Sequence, residues 1–408
     1  MGIDGCSMTA TVRELPPAPD VPAVWSGTPF LAPTPARRLE YIDGLRALAA
    51  LWVAIHHIVE TSVPAFALSL PIVGPIVGTL FFGQFPVMVF LMLSGFCLYY
   101  PCVKKNPTRP VFSTGYGAYL FRRVTRIGPP YFAAGALCLV MAAFPQLLVG
   151  KWSVTGPVDA RVIVSHVLFA HNLIPSHAVK IDYPMWSIGL EWQLYLLFPV
   201  MVWAFARSNW FTVVAVSLVV TTITRAVYRH LPGPLGPIVR DGPFSYVVIF
   251  AAGMLAAALT VRGRSVAPKW LLGCVVVVGM IAVRLGSGNG LVHDLAMSAA
   301  GFSVLLMAVD ARSAVVRVLS SPILVKVGLF SYSLYLVHAP VVHLSWLALL
   351  RLRLSPDATC AILALAGLPL IILVSYGFHR LFERPFMRVK QAPAVLRAAP
   401  AESPSRAE

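Results

Sequence analysis

Residues 42–60 read IDGLRALAALWVAIHHIVE, and the solvent that suits this run decides the fold. A membrane-spanning helix takes about 20 predominantly apolar residues, and this stretch has that length and character. It nevertheless carries Arg46, His56 and His57. An ionisable group inside a span is expensive and marks a functional hypothesis by default. Arg46 and His57 stand eleven residues apart. That is about three helical turns, so the two share one face, separated by roughly 16 Å along the axis. A neutral imidazole takes a proton from a hydroxyl near pH 7. The structural alternative is a snorkelling arginine at a helix end with two interfacial histidines.

The rest of the chain fits the same solvent. Of its 408 residues, 58% are hydrophobic and 12% charged, against about 45–50% and 25% in soluble domains. Mean hydropathy is +0.78. In water such a chain would leave too much apolar surface exposed. The formal net charge of +16 would suggest nucleic acid in a soluble protein. Here the basic residues fall between apolar stretches, the pattern of Lys and Arg retained beside anionic lipid. A nucleic-acid partner is therefore not expected. The six cysteines are scattered, with neither Cys-x-x-Cys nor a Cys/His metal spacing, so neither a disulfide framework nor a metal site is inferred.

Ten candidate spans emerge, at about 42–62, 79–101, 130–149, 186–206, 210–228, 244–261, 270–286, 291–310, 328–349 and 357–379. The stretch FALSLPIVGPIVG at 66–78 is short and rich in Pro and Gly, and is expected as a loop or interfacial segment. The expected fold is an all-α polytopic bundle with both termini cytoplasmic. That orientation puts 23 of the 32 Lys and Arg on the inner side, as the positive-inside rule asks. Residues 102–129 then form the longest inner loop and 150–185 the longest outer one. Residues 1–38 and 391–408 lack apolar periodicity and are expected as disordered cytoplasmic tails, leaving 39–390 as the membrane domain.

Four further groups can carry chemistry. Arg122, Arg123 and Arg126 lie in LFRRVTRIGPPYF. Their guanidinium forks suit phosphate oxygens, and the alternative is a positive-inside anchor. Glu191 sits in MWSIGLEWQLYLLFP beside Ser187, Gln193 and Tyr195. A carboxylate at that depth must be neutral, paired or facing a polar cavity; it is expected to orient His57 as an Asp orients a His in hydrolases, the structural alternative being a tie to an Arg or to a Ser hydroxyl. Tyr332, Tyr335 and His338, in FSYSLYLVHAPVVH, line an acceptor cavity or serve as satisfied interfacial groups. His379, Arg380, Glu383 and Arg384 read as a cap and inner-surface anchor for the last span. No P-loop, dinucleotide fingerprint, HExxH or GxSxG elbow occurs, which disfavours a Ser-nucleophile hydrolase. A secondary transporter or exporter also explains many spans with buried charge, but no duplicated halves are visible. A non-catalytic scaffold has no reason to bear the insertion cost of these groups.

The order of the segments over about 39–390 resembles the integral-membrane acyltransferase-3 family. The matching motifs are Arg46 with His57 in the first span, Ser94-Gly95-Phe96 ending the second, and Arg123, Arg126, Ile127, Pro129, Pro130 and Tyr131 in the basic region. Trp186, Ser187, Glu191, Gln193 and Tyr195 form a fourth motif, and Ser331 to Leu336 with His338 a fifth. Met88 and Trp192 stand where the family often has acids. The resemblance implies a multi-pass enzyme of a cell membrane, a bacterial inner membrane first, that O-acylates polysaccharides, lipids or macrolide-type metabolites. Acetyl-CoA or another acyl-CoA is the expected co-substrate, with no permanently bound cofactor. Arg46, Arg122, Arg123, Arg126 and Tyr131 would hold it. His57 would act as base with Glu191 orienting it, and Trp186, Ser187, Tyr332, Tyr335 and His338 would bind the hydroxyl-bearing acceptor.

Overall fold

The computed structural model describes residues 39–62, 83–149, 158–263, 273–276, 291–307 and 314–387, and among these no strand occurs. The principal apolar helices are α1 (Glu40–Ser62), α2 (Gln84–Lys105), α3 (Tyr116–Ala142), α4 (Trp186–Arg207), α5 (Trp210–Val227), α6 (Val247–Val261), α7 (Leu291–Met307), α8 (Ser331–Leu350) and α9 (Pro356–Met387). Seven helices among the described residues are long and apolar enough to cross a membrane, while α6 and α7 supply shorter apolar stretches. In lipid a helix satisfies its own backbone donors and acceptors, which is why spans take this form.

The division between lipid-facing and interior helices is sharp. α5 turns Phe211, Val216, Val219 and Ile223 outward, and α9 leaves Leu365 80% exposed. Such faces match hydrocarbon and would be a liability in water. α6 is the reverse: every residue from Val247 to Leu259 is buried, as expected of a helix apolar all round. Its partner α2 approaches backbone to backbone. A Cβ added at Gly95 would lie 2.2 Å from the Phe250 carbonyl oxygen, and one at Gly253 would lie 1.9 Å from that of Met92. Small residues at the crossing are what permit this approach. The start of α1 is clamped similarly. A Cβ at Gly44 would meet the Leu319 carbonyl oxygen at 1.7 Å, and one at Gly328 that of Asp43 at 2.0 Å.

Several expected boundaries move. The span expected at 130–149 is part of α3, which starts at Tyr116. The arginine cluster therefore stands on a helix and not in an inner loop. Hydropathy finds apolar residues, and the basic first turns of α3 are helical without being apolar. The helix also runs through Pro129 and Pro130. The last span runs on to Met387 through two π-helical segments, Leu363–Gly367 and His379–Glu383. The expected span at 270–286 lies outside the described residues apart from one helical turn at 273–276, and the segment at 66–78 and both tails lie wholly outside them.

Candidate active site

Three helices place their polar side chains along one axis. α1 runs from Arg46 to His57, α8 runs the same way from Tyr332 to His338, and α4 runs back from Ser187 to Tyr195. The result is a site with a histidine end and an arginine end.

At the histidine end, His57 Nδ1 lies 3.0 Å from Glu60 Oε2, on the next turn of the same helix. The His57 ring also stacks on His338 at 5.2 Å and meets Tyr183 edge-on at 4.8 Å. His338 is fully buried. Its Nδ1 lies 3.2 Å from the Leu334 carbonyl oxygen. An N–H donating there leaves Nε2 as an acceptor, and that atom has no hydrogen-bond partner among the described residues. A buried acceptor without a donor is costly alone and fits a hydroxyl-bearing ligand. Tyr335 closes this end, with its hydroxyl 2.7 Å from that of Ser187 and donating to the Pro184 carbonyl at 2.9 Å. Trp186 packs its ring 6.4 Å from that of Tyr246.

A folded segment, 158–185, lies against this end. It docks where α4 carries Gly189, since a Cβ there would lie 2.7 Å from Asn172 Oδ1. Gln193 fixes it from below, donating to Asn172 Oδ1 at 2.8 Å and to the Phe169 carbonyl at 3.1 Å. Its interior histidines, His166 and His171, stack at 4.0 Å. Burial pushes them down to about 4 and about 3 respectively, so both are neutral. Burial also raises the Asp182 carboxyl well above the usual carboxylate range.

At the arginine end, Arg46 donates to Cys97 Sγ at 3.4 Å and lies 3.9 Å from Asp43 Oδ1. Arg126 stands three residues beyond Arg123 on α3, on the same face. The Arg123 guanidinium sits 6.0 Å from the Tyr119 ring, and its Nε is buried without a hydrogen-bond partner. Clustered guanidinium groups with an unanswered donor suit an anionic partner. Glu191 belongs to this half: it accepts hydrogen bonds from Ser94 and Tyr195. Tyr332 donates to the Ile127 carbonyl at 3.0 Å and ties α8 to α3 beside the cluster.

Several expected placements change. The carboxylate on His57 is Glu60, not Glu191, because Glu191 lies a turn beyond Ser187, where Ser94 and Tyr195 engage it. Arg122 is exposed and donates to the Ala118 carbonyl at 3.2 Å. It stands one residue, hence about 100° of helical rotation, from Arg123. Tyr131 is buried under the 158–185 segment, its hydroxyl 3.4 Å from the His166 carbonyl and its ring on Phe169, and so takes no part in the arginine cluster. Glu383, expected as a surface anchor, is 2% exposed and accepts from Ser333 at 2.6 Å, with His379 Nδ1 at 2.9 Å.

Residues 39–380 match the family model Acyl_transf_3, an acyltransferase domain. The chain belongs to the acyltransferase-3 family. A curated relative is the "Regulator of hypoxia-inducible factor 1" of Caenorhabditis elegans, 24% identical over 410 aligned residues that cover 83% of this chain and 77% of that protein. No solved structure matches. As an acyltransferase-3 chain with several spanning helices, this is a multi-pass membrane acyltransferase. Its motif residues meet in space: the Ser94 motif of α2 touches the Glu191 motif of α4, and Ser187 of α4 touches Tyr335 of α8. Glu60 is a site residue that sequence reasoning missed, although its i, i+3 spacing from His57 was visible.

Proposed function

We propose that this acyltransferase moves an acyl group, acetyl first among the candidates, from a coenzyme A thioester to a hydroxyl of a cell-surface glycan, glycolipid or secondary metabolite. The carrying observation is that α1 presents a carboxylate-held imidazole, His57 with Glu60 at 3.0 Å, on the same helix as Arg46. Arg46, Arg123 and Arg126 hold the phosphates of the carrier, whose long thiol arm runs along the axis toward His57. With Glu60 ionised, Nδ1 of His57 carries the ring proton and Nε2 is the base.

In the reaction the acceptor hydroxyl gives its proton to His57 Nε2 while its oxygen attacks the thioester carbonyl. Collapse of the tetrahedral intermediate forms the C–O ester bond and breaks the C–S bond. The proton passes from His57 to the departing sulfur, so coenzyme A leaves as the free thiol. A histidine-bound acyl intermediate is a variant of the same chemistry. His338 Nε2, Tyr335, Ser187 and Trp186, all at the histidine end, orient the acceptor, whereas Tyr332, expected there too, stands at the arginine end bonded to the Ile127 carbonyl. Purified protein given acetyl-CoA and a panel of glycans and polyhydroxylated metabolites should yield an acceptor heavier by one acetyl group, with free thiol in equal amount. Absence of thiol release with every acyl-CoA and acceptor would overturn the proposal.

A further inference from the structure

We infer that His56, His57 and Glu60 form a binding site for a divalent transition-metal ion of the zinc class, and that its occupancy shuts off acyl transfer. The second half rests on His57 acting as the base.

Each of the three residues offers a donor atom, and the three atoms lie within 4.8 Å of one another. His57 Nδ1 is 3.0 Å from Glu60 Oε2, and His56 Nε2 is 3.6 Å from the same oxygen. The first distance is that of a hydrogen bond and the second that of an ion pair. A tetrahedral ion with ligand bonds of about 2.0–2.2 Å separates its donors by roughly 3.3–3.5 Å; the two distances to Glu60 bracket that value, and the three donors, within 4.8 Å of one another, need only a small ring rotation to close on an ion. The local sequence builds the arrangement. Residues i, i+1 and i+4 of one helix put both rings over the turn that carries Glu60. The His56 ring is held by close packing, since a Cβ at Gly83 would lie 2.2 Å from its Cδ2. Side-chain exposures of 12%, 13% and 30% for His56, His57 and Glu60 leave the oxygen reachable while the rings stay mostly dry.

Two imidazoles and one carboxylate select zinc, copper or nickel over magnesium or calcium. They also leave a fourth position for water. Capture of His57 through Nδ1 leaves its ring proton on Nε2, so the ring has no lone pair with which to take a proton from an alcohol. None of the usual metal spacings includes a His-His-x-x-Glu pattern at the end of a span, so the pattern alone does not signal a metal.

The test is calorimetric titration of ZnCl2 into the purified, EDTA-stripped full chain, with loss of acetyl-CoA thioester absorbance followed in parallel. One zinc should bind per chain, slow thioester loss at least about tenfold, and be reversed by EDTA. His56→Asn, with His56→Gln as its backup should it misfold, should keep turnover within about twofold. Either should weaken zinc by more than the about 10–100-fold typical of losing an outer-shell partner. Zinc affinity unchanged in both variants, no zinc binding, or bound zinc that leaves turnover unchanged or raises it would overturn the inference. A chain that turns over no thioester yet binds zinc through His56 would separate the metal site, which stands, from the acyl-transfer proposal and the shut-off, which fall.

Discussion

Glu60 Oε2 lies 3.0 Å from Nδ1 of His57, one turn along the same helix. With Glu60 ionised, this pairing places the ring proton on Nδ1 and draws the carboxylate partner of His57 from α1 itself. Glu191, bonded to Ser94 and Tyr195, instead ties α2 to α4 beside the arginines.

Replacing Glu60 by Gln keeps the shape but removes the charge that stabilises imidazolium. The turnover rate should fall by about 10²-fold or more, the scale of a lost general-base contribution, with KM for acetyl-CoA within about threefold. A kcat and KM comparison checks the split, and a rise in KM alone would contradict it.

The arginines should separate by face. Hydrogen bonds to charged groups contribute about 1.5–3 kcal/mol, so Arg123→Ala or Arg126→Ala should raise KM for acetyl-CoA about 10–100-fold. Arg122→Ala, on the exposed side of α3, should change it by less than about twofold. Equal effects at all three positions would show that net charge, not a built site, holds the carrier.

The α2–α6 crossing should resist any added side chain. Gly253→Ala places a Cβ 1.9 Å from the Met92 carbonyl oxygen, and such overpacking typically costs about 1–3 kcal/mol or more. Thermal unfolding in detergent should show a Tm several degrees lower. An unchanged Tm would mean that the helices separate without penalty.

Acid should loosen the 158–185 segment. The folded values of His166 and His171, about 4 and about 3, lie below the unfolded value of about 6.5. Between those limits the unfolded state binds more protons, so stability is full above pH 6.5 and is lost as pH falls toward 4. Hydrogen exchange or Tm measured from pH 7 to pH 4.5 should show the loss, and a His166→Asn/His171→Asn double variant should show a shallower one.

What the sequence made legible follows from where the cost lies. Arg46 and His57 stood out because a charge in a span has few innocent explanations, and their helical spacing already gave a shared face. The meeting of Ser94 with Glu191 was invisible, because it joins residues 97 positions apart and no local period encodes it. The start of α3 was missed because hydropathy reports solvent and not helicity. Arg122 was grouped with Arg123 and Arg126 because adjacency in sequence hides a 100° step in space. The position of Glu383 at the end of the last span suggests a surface anchor, but the span runs on to Met387 and its π-helical segment carries Glu383 inward.

The account stands or falls on His57. With folding checked by an unchanged Tm and acetyl-CoA binding confirmed, the rate of thioester loss by His57→Ala should drop about 10²–10⁴-fold below that of the unmodified chain. A well-folded His57→Ala protein that consumes acetyl-CoA at the full rate would contradict it.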